Sequence, residues 1–203
     1  MRQYKVVAGL TETLGHLLKT ACKDAGFARV DISHEVPKSE NIKSKPCISC
    51  YQYHLSFAPH YPERNQTLVT ENDEQGKVVT YYKDAPLYLF AHYMVCVFGN
   101  SAKEEGLLMG LAMKTFLEHP LLTGAELKGE GFYPDDQIIL YPHLQTEYED
   151  VMSFWRSMNE EVRPVAMYQT KFRIESDRVS VPIRPVDQVT TTGGARTPGN
   201  PRG

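Results

Sequence analysis

The stretch from Pro86 to Pro120 constrains the fold of this 203-residue chain more than any other. Leu87 to Phe98 is apolar at successive positions, the mark of a strand covered on both faces. Gly99-Asn100 then turns the chain. Ser101 with Glu104 forms an S-x-x-E capping box, and Glu104-Glu105 sit in the first helical turn, where the helix dipole favours acids. Leu108, Leu111, Ala112, Thr115 and Phe116 recur as one buried stripe, and His119-Pro120 ends the helix. Gly106 and Gly110, on one helical face, weaken helix propensity, so close backbone packing is the expected reason for them.

Around this unit the pattern is mixed α+β. Val6/Val7, Leu10, Leu14, Leu17/Leu18, Ala21 and Ala25 predict an amphipathic helix from about Lys5 to Ala25, ended by Gly26. Ala28 to Ser33 reads as a short strand, and Glu35 to Pro46 as a loop. Cys47 to Phe57 predicts a strand whose more apolar side, Cys47, Ser49, Tyr51, Tyr53, Leu55 and Phe57, faces the core. Thr67–Thr70 and Lys77–Tyr82 flank the polar turn Glu71–Gly76, predicting a β-hairpin with a mobile tip. Past a glycine-rich connection (Gly124, Gly129, Gly131) come a strand at Gln137–Tyr141 and a helix opened by Thr146 with Glu149. That helix carries Leu144, Tyr148, Val151, Trp155 and Met158 on one side. Val165 to Ile174 alternates as a strand, with Val179 to Ile183 expected to pair back on it.

Together these elements predict a single α+β domain over residues 1–186. A mixed or antiparallel sheet packs with about three helices and carries a hairpin arm, and a Gly/Pro/Thr-rich tail follows from Asp187 to Gly203.

Composition narrows the function. A formal net charge of −3 and the lack of a basic cluster argue against a nucleic-acid partner. The longest near-apolar run, Leu87 to Phe98, is too short to span a bilayer as a helix, so neither direct membrane insertion nor a signal peptide is expected. Cys22, Cys47, Cys50 and Cys96 do not read as a disulfide scaffold and fit synthesis in a reducing cytoplasm.

The sharpest chemical motif is Cys47-x-x-Cys50 with His54 and His60 nearby, which suggests a small metal-binding or enzymatic module. Strand alternation weighs against it, because residues three apart point to opposite faces. Pairing Cys96 with His92 or His119 as a nucleophile and base is weaker, since Cys96 lies mid-strand in an apolar run and His92 reads as a packed histidine with one hydrogen-bond partner. Asp135-Asp136 and Glu147/Glu149-Asp150 sit where capping accounts for them. Neither a catalytic residue nor a cofactor is expected. The 12 tyrosines are concentrated on predicted strands, and Tyr81 and Tyr82 on the hairpin suit either a core edge or an interface.

The order of these pieces resembles a known family. An N-terminal amphipathic helix is followed by the Cys47–Phe57 strand, Arg64-Asn65, and an acidic turn ending at Gly76. Then come Pro86-Leu87-Tyr88-Leu89, His92-Tyr93, the Gly99 turn, His119-Pro120-Leu121-Leu122, and Phe154-Trp155 before Arg163-Pro164. From about Val6 to Val186 this is similar to the tail-terminator, or cap, proteins of contractile injection systems, the phage-tail-like particles that include antifeeding prophages and virulence cassettes.

The resemblance implies a structural, non-enzymatic subunit forming a hexameric ring that caps the distal end of tube and sheath and stops their polymerisation. Its partners would be copies of itself and the sheath and inner-tube subunits. It would assemble in the cytoplasm into a particle that is released or membrane-attached. A tube-end adaptor on the baseplate side is the neighbouring alternative. Exposure and edge position nominate Arg64, Asn65, Asp73, Glu74, Lys77, Tyr81, Tyr82, Lys171, Arg173 and Arg184 as interface residues.

Overall fold

The computed structural model describes residues 3–58, 66–73, 75–143 and 147–183. Helix α1, Val6–Asp24, forms where the apolar period predicts it and ends at Gly26, whose φ of 84° suits glycine. Strand β1, Asp31–Ser33, follows, then β2, Cys47–Phe57, and the hairpin β3, Gln66–Asn72, with β4, Val78–Asp84. Next come β5, Leu87–Phe98, helix α2, Ala102–Glu118, β6, Leu121–Thr123, β7, Gln137–Pro142, helix α3, Tyr148–Met158, and β8, Val165–Ile174.

Six strands form one sheet in the order β1-β2-β5-β8-β7-β6, with β3 and β4 forming a separate two-stranded sheet. Only β1 and β2 pair in parallel; the other ladders of the large sheet are antiparallel. β5 is central, and its residues from Ala91 to Phe98 are all buried, as the two-faced apolar run requires.

Each face of the sheet carries its own core. On one, α1 and α2 supply Leu10, Leu14, Leu18, Leu108, Ala112 and Phe116 against Ile48, Cys50, Tyr93, Val95 and Phe172. The glycine-rich connection closes onto α1 at backbone distance. A Cβ at Gly131, where φ is 101°, would stand 2.5 Å from the Val6 nitrogen, so only glycine fits there. On the other face, α3 seats the fully buried Trp155 over Cys47, Cys96 and Phe98.

Several expectations are corrected. The Cys47–Phe57 strand does not present one apolar set to one core. Its register against β5 slips between Gln52 and His54, leaving Tyr53 as the extra residue. Before the slip Ile48 and Cys50 lie on the α1/α2 side, and beyond it Leu55 and Phe57 come to that same side past the helices' cover. Phe57 is 69% exposed. Gly106 and Gly110 have no neighbour near the place of a Cβ, so no close packing within the described chain accounts for them.

The capping pair of α3 is Glu147 with Asp150, one residue later than Thr146/Glu149; Leu144 and Thr146 lie outside the described residues. Strand β6 carried no recognisable sequence signal of its own. Finally, Val179–Ile183 does not return to β8 but runs along β4, bridging Thr80 to Ile183 and Lys83 to Val179.

Candidate assembly interface

The hairpin is the feature that the two cores leave out. Along β3 only Val69 is even half-buried, and on β4 Val78 is 64% exposed. Its turn is held from within: the Asp73 carboxylate accepts from Gln75 N at 2.9 Å and from Lys77 N at 2.8 Å, while Gly76 takes φ of 78°. Two hydroxyls, Thr70 Oγ1 and Thr80 Oγ1, meet across the strands at 3.1 Å. Leu68 and Tyr82 lie opposite one another, and both are exposed. A two-stranded ribbon with so little burial gains little stability of its own.

The ribbon is moored at its root. Lys83 Nζ donates to Glu175 Oε2 at 2.6 Å, and that bond raises the ammonium's pKa. An open crevice of about 910 Å³ separates the hairpin from the end of β8, lined by Gln66, Asp84, Ile174, Glu175 and Arg178.

The nominated residues divide by what they do inside the chain. Lys77 and Tyr82 are exposed on the hairpin. Tyr81 is half-buried, and a hydrogen bond with Glu71 raises its phenol pKa. Lys171 is exposed on β8 and lies 5.4 Å over the Tyr88 ring. Asp73 is occupied by the turn, and Arg173 is engaged by Asp135, Asp136 and Glu175. Arg64, Asn65, Glu74 and Arg184 lie outside the described residues.

The residues of the metal or enzymatic reading are dispersed. Cys50 belongs to the α1/α2 core and Cys47 to the Trp155 core, on opposite sides of the sheet, so the two thiols cannot clasp one ion. His60 lies outside the described residues. Among the described residues no group of three or more His, Cys, Asp or Glu side chains is disposed to hold a metal. Burial pushes the thiols of Cys50 and Cys96 up to about 12 and that of Cys47 up to about 11, far from the thiolate a nucleophile needs. His119 pairs with Glu126 at 2.9 Å, in a place of its own.

A histidine group that the sequence pattern did not bring together lies on the α3 side of the sheet, beyond the helix's cover. The His92 ring centroid is 5.2 Å from that of His54 and 5.1 Å from that of His143. His92 is nearly buried, with its Nε2 2.9 Å from Ser56 Oγ. The slip at Tyr53 brings His54 opposite His92, which is why plain alternation hid the group. Burial first, then the two neighbouring imidazoles, lower the pKa of His92.

No helix among the described residues is long and apolar enough to cross a membrane. The profile of a family described as the Pvc16 N-terminal domain matches residues 9–188. No curated protein matches the sequence.

Among solved structures, the chain is similar to the sheath/tube terminator of an extracellular contractile injection system, PVC, in the extended state. That match has a TM-score of 0.70 at 11% identity and covers 94% of this chain and 64% of that one. It is also similar to the tube-terminating cap of the anti-feeding prophage, with a TM-score of 0.66 at 12% identity, covering 95% of this chain and 62% of that one. At such identity the likeness is one of fold, and the chain spans less than two thirds of the length of either structure.

Proposed function

Because the chain belongs to the Pvc16 N-terminal domain family, we propose that it is a structural subunit that ends the growth of tube and sheath in a contractile injection particle. The family match over residues 9–188 carries this reading. The fold shared with a sheath/tube terminator and a tube-terminating cap supports it. In this role the chain closes into a ring, six-membered by the resemblance, on the distal end of the particle. Its partners are its own copies and the sheath and inner-tube subunits, and no chemical step is required of it. Assembly takes place in the cytoplasm, and the finished particle is released or held at a membrane. In this reading residues 1–186 are the terminator domain, and the Gly/Pro/Thr-rich segment 187–203 that follows lies outside the described residues.

The physical case rests on surfaces. A closed ring needs two different, complementary patches on each copy. The hairpin, with Lys77, Tyr81 and Tyr82 on β4 and its flanks, is one candidate patch, and Lys171 on the large sheet is another. Asp73 shapes the hairpin turn that presents the first patch, and Arg173 steadies the sheet beside the second. Arg64, Asn65, Glu74 and Arg184 are proposed as contacts from sequence position alone. A cap that engages the last ring of subunits and offers the next one no acceptor ends polymerisation.

The test is deletion of the gene in a particle-producing strain, with tube lengths measured by electron microscopy. Overlong or irregular tubes are expected; particles of normal length would overturn the proposal. Imaging with a labelled subunit separates the end it occupies: label on the baseplate side would support an adaptor instead.

A further inference from the structure

The hairpin has two edges, and the described chain fills only one of them. Along β4 runs the segment 179–183, joined to it by two isolated antiparallel bridges, Thr80 to Ile183 and Lys83 to Val179. Ser180 N donates to Tyr82 O at 2.8 Å, Ile183 N donates to Thr80 O at 2.7 Å, and Tyr82 N donates to Ser180 Oγ at 2.9 Å. Among the described residues nothing is hydrogen-bonded along the outer edge of β3. That edge lacks the usual guards: over its 7 residues it has no proline, no lysine, no register slip and a single charge, Glu71. On that strand stands exposed Leu68, which an added strand would help to cover.

We propose that this edge takes residues Val186–Thr192 of a second copy of the chain as an added strand, linking neighbouring copies head to tail. The inference deepens the ring reading above and rests on it.

Three observations select this occupant. First, Val-Asp-Gln-Val-Thr-Thr-Thr, between Pro185 and Gly193, is free of glycine and proline and matches β3 in length. Second, its β-branched residues suit a strand, and its threonines can repeat the hydroxyl contact already made by Thr70 and Thr80. Third, the chain's own copy is badly placed to supply it. From the line of 179–183 across β4 and β3 to a strand beyond β3 is three strand spacings, about 14 Å. Three residues of chain, from Ile183 to Val186, span about 11 Å at most. A same-chain return therefore forfeits the first part of the strand, whereas a neighbouring copy can deliver all of it. Donor and acceptor surfaces differ, so the contact is heterologous and can close a ring.

Chemical cross-linking tests the pairing. Leu68→Cys and Val189→Cys are made in separate full-length chains, whose natural cysteines are all buried. The two chains are mixed and treated with a short bis-maleimide. Cross-linked dimer in the mixture, well above either chain alone, is the expected result. Light scattering should show an oligomer for the unaltered chain and its loss in the Val189→Pro/Thr190→Pro chain, because successive N–H groups point to opposite sides of a strand and the pair removes both. Its melting temperature should be retained.

An oligomer that survives the two prolines without a cross-link would place the contact elsewhere and overturn the inference. So would a full-length chain that stays monomeric at high micromolar concentration, or cross-linking confined to single chains carrying both cysteines. Whether the chain ends tube growth is judged separately, by tube lengths in the deletion strain.

Discussion

Arg163 reaches back from the exit of α3 to donate through Nη1 to Glu105 Oε1 at 2.7 Å, while its guanidinium lies 4.8 Å over the Phe98 ring. Glu105 also accepts from Gly99 N at 3.0 Å. One carboxylate in the first turn of α2 thus ties together the end of the central strand and the chain leaving α3. The pair joins the layers on the two faces of the sheet across a single strand end.

Removing that tie should be costly, because both side chains are largely withdrawn from water. Arg163→Ala is expected to lower stability by about 1.5–3 kcal/mol, the range for hydrogen bonds to charged groups. In urea titrations, Arg163→Ala and Glu105→Gln should each destabilise, and the double variant should cost clearly less than the two together. Strict additivity would show that the pair is not coupled.

Trp155 fills the core on the α3 side, with Nε1 buried and without a hydrogen-bond partner among the described residues. Trp155→Ala should cost about 3–5 kcal/mol. Trp155→Phe should cost much less, because it also removes an unsatisfied donor worth about 1–3 kcal/mol. Denaturant midpoints of the two variants make the comparison. Equal losses would mean that the indole N–H is satisfied after all.

The glycines divide by their surroundings. Gly106→Ala and Gly110→Ala sit on an open helix face and should each stabilise the chain by up to about 1 kcal/mol. Gly131→Ala should destabilise, since a Cβ there meets the Val6 backbone and φ is 101°. Thermal melts of the three variants should shift in these opposite directions.

Acid should weaken the fold through His92. Its folded pKa lies below the ordinary histidine value, so the neutral ring is favoured in the native state. Its contribution is intact above about pH 6.5 and is lost as pH falls through that value toward the folded pKa. The melting temperature should therefore drop between about pH 7.5 and pH 5, and less steeply in His92→Gln. An unchanged slope in the variant would assign the acid sensitivity to other groups.

Local signals were enough for much of this architecture. The apolar period of α1, the two-faced run of β5 and the Ser101 cap with its acidic first turn each specify their element without help from distant residues. The same punctuation carried the family resemblance, which the match over residues 9–188 bears out. What the sequence left open depends on what lies opposite. One extra residue at Tyr53 reverses which side chains of β2 face α1 and α2, and it assembles His54, His92 and His143 from three separate segments. Segment 179–183 carries a β pattern that suits any edge, and only the position of the hairpin sends it to β4 instead of β8. Periodicity and caps are properties of consecutive residues and can be read in order. Register, parity and the choice of edge are relations between segments, and they exist only once the chain has folded.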